Sequence, residues 1–243
     1  MKIKEIQNNI IIKSPKLSTS NRPVNLSEFL NYVGLQLIIG LSGSGKTSLI
    51  YNLLNGTKQN NLYNNVFNSV YYITPSDTVD LNLDPEKVII LDDDDNISSI
   101  LEEIIENEKD KGSDEEAHHV AIFLDDCVNY LSTQKSSMKV FRKLIMNGRH
   151  ILGNNSSVAT FLVSQKVRSI PLVIRSQANA IYFFNSTKAE KQVIIDEFLP
   201  LDKLPSNKIL NYIFDTPYNF LYINLNLPIK QRLFKCYNQL IFE

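Results

Sequence analysis

Eight consecutive residues, Gly40, Leu41, Ser42, Gly43, Ser44, Gly45, Lys46 and Thr47, match the spacing G-x-x-x-x-G-K-[ST] in full. The chemistry that suits this pattern is the holding of a phosphate chain. Glycines at Gly40, Gly43 and Gly45 permit backbone angles that turn successive N–H groups inward, and they leave room for the phosphates to approach. Lys46 then stands where its ammonium reaches the β- and γ-phosphates, and Thr47 where its hydroxyl ligates Mg²⁺. Ser42, Ser44 and Ser48 complete the binding run, at the start of a helix whose N-terminus favours negative charge.

A loop of this kind needs an acidic strand end as its partner. Val120, Ala121, Ile122, Phe123 and Leu124 form an apolar run that ends in Asp125 and Asp126. Asp125 is the expected magnesium ligand. Asp126 follows it, where a carboxylate can orient or deprotonate an attacking water, with a supporting role around the ion as the plainer alternative. A competing acidic strand end exists, because Val88 to Leu91 also runs into paired aspartates at Asp92 and Asp93. The later run is longer and is followed by a helix and another strand, which favours Asp125. That other strand, Val158 to Val163, ends in Ser164 and Gln165. Gln165 is read as a sensor of the γ-phosphate or of the water, or else as an amide capping its loop. Arg149, Arg168 and Arg175 are the guanidinium groups able to reach a neighbouring subunit's γ-phosphate, with Arg149 and Arg175 favoured.

The elements that must position these residues are legible from periodicity. Leu35 to Ile39 reads as the strand feeding the loop, and Ser48 to Leu54 as the helix leaving it, stopped at Asn55 and Gly56. Further strands are expected at Val70–Thr74, Lys87–Leu91, Ala180–Phe184 and Tyr218–Leu225. Helices are expected at Ile97–Lys109, Ser136–Asn147, Lys188–Leu199 and Asn207–Phe214. The opening segment suggests an edge strand or small hairpin, followed by a short helix from Ser27. Right-handed crossovers through the helices would give a parallel sheet with the loop strand near its centre.

With 243 residues and no long low-complexity linker, the chain fits one α/β domain: an N-terminal extension over 1–34, a nucleotide-binding core over 35–184, and C-terminal helices and a strand over 185–243. No uncharged apolar run reaches the roughly 18–20 residues of a membrane span, and no signal-peptide core opens the chain, so a soluble intracellular protein is expected. Two cysteines, Cys127 and Cys236, and three histidines show no zinc-ligand spacing.

The net charge of −1 hides a segregation. Acidic residues dominate from Asp77 to Asp126, whereas Cys127 to Ala189 contains no Asp or Glu. Lys135, Lys139, Arg142, Lys143, Lys166 and Arg168 fall in that acid-free span and are the candidate contacts for DNA phosphates; the alternative is a set of solvated lysines on helix surfaces.

The order of Gly40–Thr47, Leu124-Asp125-Asp126, Gly148-Arg149-His150, Ser164-Gln165, then Ile170-Pro171 with Arg175, resembles the poxvirus-type genome-packaging ATPases of large double-stranded DNA viruses and virophages, a branch of the FtsK/HerA superfamily. The resemblance covers roughly Leu35 to Phe184. It implies an α/β P-loop NTPase three-layer sandwich of the additional-strand type with a mainly parallel central sheet, hydrolysis of ATP with Mg²⁺, a homo-oligomeric ring, threading of double-stranded DNA into a capsid, and contact with capsid or other virion proteins. It also implies a place in the host-cell cytoplasm, the viral factory or the virion. A nucleoside or nucleotide kinase and a nucleotide-gated scaffold are the alternatives from other classes.

Overall fold

Strand β1 (Gly34–Ile39) carries the loop residues at its C-terminal end, and its last five residues are buried. The computed structural model describes residues 30–55, 62–63, 65–77, 81–113, 116–133, 135–153, 155–199 and 203–241. β1 pairs in parallel with β5 (Ser156–Ser164) on one side and with β6 (Ala178–Phe184) on the other. From β5 the parallel sheet continues through β4 (His118–Asp125) and β2 (Ser69–Thr74) to an edge at β3 (Val88–Ile90). From β6 it continues antiparallel through β7 (Phe220–Asn224), β8 (Leu233–Lys235) and β9 (Asn238–Gln239). The resulting order is β3-β2-β4-β5-β1-β6-β7-β8-β9. The expected inserted strand is therefore present: β5 separates the loop strand from the acidic strand.

Two faces of this sheet are covered, which is why its central strands are mostly apolar, with Val120–Leu124 of β4 and Ala180–Phe184 of β6 as unbroken runs and Gln36 of β1 and Thr160 of β5 as buried polar exceptions. On one face Ile38, Phe123, Phe161 and Tyr182 pack with Leu49, Ile50 and Leu53 of α1 (Lys46–Asn55). On the other, Leu35, Leu37 and Ile39 belong to a core built from α2 (Ile97–Glu108), α3 (Val128–Thr133), α4 (Lys135–Asn147), α5 (Leu172–Arg175), α6 (Lys188–Phe198) and α7 (Lys203–Ile213). Alternation along each strand sends neighbouring residues to opposite cores, so helix, sheet and helix form three layers. No helix among the described residues is long and apolar enough to cross a membrane.

Three expectations need correction or restriction, and two elements were not expected. The strand from Tyr218 was expected to be parallel, and β7 is antiparallel to β6. Two helices, α6 and α7, lie between them: one helix returns the chain to the start of β6, and a second carries it back to the end, so β7 must run the opposite way. The turn α3 and the β8–β9 hairpin carry no periodic signal strong enough to read beforehand, the second because each strand is only two or three residues long. The N-terminal strand or hairpin lies outside the described residues, as does most of the helix expected from Ser27; of the latter, Leu30 to Val33 are not helical.

Candidate functional site

At the C-terminal ends of β1, β4 and β5 the structure brings the chemical residues together around one cavity of about 480 Å³, lined by Ser42, Gly43, Gly45, Lys46, Thr47, Ser48, Tyr72, Thr74, Asp125, Asp126, Gln165 and Tyr218 among others. This is the edge at which open α/β sheets place their ligands.

The loop owes its shape to two different properties of glycine. Gly43 and Gly45 have φ of +72° and +105°, the left-handed region in which a side chain is strained. Gly40 does not lie in that region. Its lack of a side chain matters because a Cβ there would stand 2.4 Å from Ser44 Oγ and 2.7 Å from Phe184 Cβ. Lys46 Nζ donates to the carbonyls of Gly40 at 2.8 Å and Leu41 at 3.2 Å, which keeps the ammonium at the mouth of the loop.

Opposite the loop, Asp125 is held by a residue that sequence reasoning missed. The Tyr72 hydroxyl donates to Asp125 Oδ2 at 2.5 Å from the adjacent strand β2. Tyr72 escaped notice because a tyrosine in an apolar strand reads as core, and its ring is indeed buried. Burial pushes the Asp125 carboxyl up; the Tyr72 hydrogen bond opposes this, and the Asp126 charge adds to it. Thr47 and Asp125 supply the hard oxygen donors that Mg²⁺ prefers, and the bond to Tyr72 leaves Asp125 Oδ1 for the ion or its water shell. No group of three or more His, Cys, Asp or Glu side chains able to hold a metal ion occurs among the described residues. An ion here would therefore take its remaining ligands from phosphate and water.

Asp126 is exposed and sits at φ +54°, an uncommon backbone state for residues other than glycine, although asparagine and aspartate adopt it more readily than most. The bend sends it away from the line of β4 while its N–H still bonds to Val163 O on β5 at 3.1 Å. Gln165 Nε2 donates to Asp126 Oδ2 at 3.0 Å, so the strand-end amide and the second carboxylate form a pair. Asp126 Oδ1 remains to accept a hydrogen bond from a water. Asp92, the competing acid, lies beyond β3 at the sheet edge, and its N–H bonds to Asp95 Oδ2. It is not among the residues lining this cavity.

The arginines are not brought to the site of their own chain. Arg149 follows α4 at the opposite end of the sheet, in a cleft with Gly34, the first residue of β1, some 20 Å of strand away from the loop. Arg175 makes a bidentate pair with Glu197 (Nε–Oε2 and Nη2–Oε1, both 2.6 Å) and donates through Nη1 to Ile170 O at 2.7 Å, so each of its three nitrogens is engaged. Lys166 and Arg168 are exposed after Gln165, and Lys166 lines a smaller pocket that shares Asp126 and Gln165 with the cavity. Lys135, Lys139, Arg142 and Lys143 form an exposed row along α4. The helix α2, which exposes Glu102, Glu103 and Glu106, packs against α4.

Comparison with solved structures agrees on the fold. The genome packaging NTPase B204 from Sulfolobus turreted icosahedral virus 2 in complex with ATP-γ-S superposes with a TM-score of 0.56 at 14% identity, covering 87% of this chain and 100% of that one. Its complex with sulfate gives 0.54 at 16% identity, covering 88% and 100%. EssC (ATPases 2 and 3) from Geobacillus thermodenitrificans gives 0.52 at 14%, covering 93% of this chain and 48% of that one. A search among curated proteins finds no match. The family described as Poxvirus A32 protein matches residues 28–204, and the chain belongs to that family.

Proposed function

We propose that this protein is an ATP-driven motor that moves double-stranded viral genomic DNA into a capsid, working as a homo-oligomeric ring in the host cytoplasm or viral factory in contact with capsid or other virion proteins. The observation that carries this reading is the convergence of Lys46 and Thr47, Asp125 and Asp126, and Gln165 on one cavity across an inserted strand. Membership of the Poxvirus A32 protein family and the shared fold of the packaging NTPase B204 support it.

In this reading the amides of Gly40 to Ser48 and Lys46 hold the phosphates of ATP. Thr47 and Asp125 hold Mg²⁺, which when bound offsets the charge that develops on the transferred phosphoryl group. Asp126 takes the proton of the attacking water, and Gln165 orients both. DNA is gripped through its phosphates without reading sequence. Lys166 and Arg168, on the loop that follows Gln165, are best placed to couple that grip to the nucleotide. The row on α4 is the second candidate, and the carboxylates of α2, which packs against α4, weaken the field the row presents to a duplex.

The test is phosphate release by the full chain with and without duplex DNA, together with the salt dependence of DNA binding. Stimulated release is expected, and it should be absent in Lys46→Ala. A Lys166→Ala, Arg168→Ala variant should lower the log–log salt slope by roughly two units and lose the stimulation. A Lys139→Ala, Arg142→Ala, Lys143→Ala variant that alone does so would move the DNA path to α4. Transfer of phosphate to a nucleoside acceptor would favour a kinase, and nucleotide binding without turnover a scaffold.

A further inference from the structure

On the far side of Gly45, Ser48 and Tyr218 from the phosphate cavity lies a second one of about 770 Å³. Its walls are of another kind: Leu49 and Asn52 of α1, Leu62, Phe184, Phe220 and Tyr237. Phe184, Phe220 and Tyr237 follow one another as a row of rings with centroids 5.4 Å apart at each step. A cavity of this size and composition suits a flat apolar group with a polar tail rather than a phosphate chain.

Tyr218 lines both cavities. It is 72% exposed, although it is one of the larger apolar surfaces of the chain, and its backbone sits at φ +66°. For a bulky side chain that state is an outlier, and such strain persists only where the surroundings impose it. The ring rests over the loop, with its Cδ1 3.4 Å from where a Cβ of Gly45 would be. Phe220, Tyr237 and Tyr218 all lie beyond residue 204, where the family match ends.

We propose that this aromatic cavity takes the base and ribose of the nucleotide, and that Tyr218 is a nucleotide-contacting residue whose ring packs on the base where the two cavities join. The proposal rests on the reading of the Lys46 loop as a phosphate site. Stacking on an aromatic ring suits any base face, so Tyr218 contributes affinity and leaves the phosphate contacts to the loop.

Equilibrium binding of two probes to the full chain, Mg·ATP and inorganic tripolyphosphate, tests it. Tyr218→Ala should weaken ATP about tenfold or more while tripolyphosphate binding stays within about twofold, and Tyr218→Phe should bind both like the parent. Tyr218→Gly should melt no lower than the parent, because glycine accepts the left-handed backbone, yet show the same loss for ATP. Unchanged ATP affinity in the alanine and glycine variants overturns the proposal. Equal weakening of both probes also overturns it, since the ring would then only shape the phosphate loop. Lys46→Ala separates the two readings: it should weaken both probes, and if the parent binds neither, the nucleotide reading falls and this inference with it.

Discussion

Tyr72 donates its phenolic hydrogen to Asp125 across 2.5 Å, and the two residues stand on neighbouring strands, β2 and β4. The bond engages Oδ2 and fixes the carboxylate in a cavity that Thr47 also lines. One strand thus holds the carboxylate that another strand supplies.

Removing that hold should affect the metal before it affects the nucleotide. Tyr72→Phe keeps the buried ring and loses one hydrogen bond, worth about 1 kcal/mol. The Mg²⁺ concentration for half-maximal turnover should rise roughly fivefold, while nucleotide affinity measured in EDTA stays unchanged. Equal loss with and without Mg²⁺ would show that Tyr72 only supports the fold.

Asp125 should cost stability in the form that function needs. Its folded pKa is raised, chiefly by burial, so ionisation is harder in the folded chain than in the unfolded one. The sign follows: the destabilisation is absent below the unfolded pKa and grows as pH rises through the folded pKa. Asp125→Asn should therefore melt about 2–4 °C higher near pH 7, lose Mg²⁺-dependent turnover, and show no thermal advantage once the solution is acid enough to protonate the parent. Differential scanning calorimetry across pH reads the difference directly; a constant gap at all pH values would refute the link to ionisation.

The pair of Asp126 with Gln165 should separate chemistry from binding. Asp126→Asn is expected to lower turnover by about two orders of magnitude or more while Mg·ATP affinity stays within about twofold. Gln165→Ala removes the amide held at 3.0 Å and should cost less, about tenfold, because the carboxylate survives. Single-turnover phosphate release beside equilibrium binding measures both. If both variants bind poorly and Asp92→Asn alone stops turnover, the acidic strand is the other one.

For the arginines the expected roles differ. Arg175→Ala breaks the bidentate pair with Glu197 and should lower the melting temperature. Arg149, remote from its own loop, can act only on a neighbour. Arg149→Ala and Lys46→Ala should each be inactive alone and regain activity when mixed, because one subunit's intact loop then meets the other's intact arginine. Rescue of Arg175→Ala in such a mixture, without rescue of Arg149→Ala, would reverse the assignment.

What could be read from the sequence was what depends on local spacing. The phosphate loop is such a case, since three glycines, a lysine and a threonine at set intervals leave the backbone little alternative. The double-faced burial of β4 is another, because a strand covered on both sides favours a continuous apolar run such as Val120 to Leu124. The inserted strand and the acidic pair at 125 and 126 followed from the family resemblance and from these runs.

Tertiary structure decided the relations between residues that only folding makes neighbours. Tyr72 and Asp125 are 53 residues apart, and Arg175 and Glu197 are 22 apart. The first pair brought a core tyrosine to the candidate site, and the second ties one candidate finger, Arg175, to a carboxylate of its own chain. The direction of β7 was set by the count of helices before it, and with it the placing of Phe220 beside Phe184 at the mouth of the loop. A side chain's type limits the bonds it can make, but the partner is chosen by strand order and register, which are properties of the whole sheet.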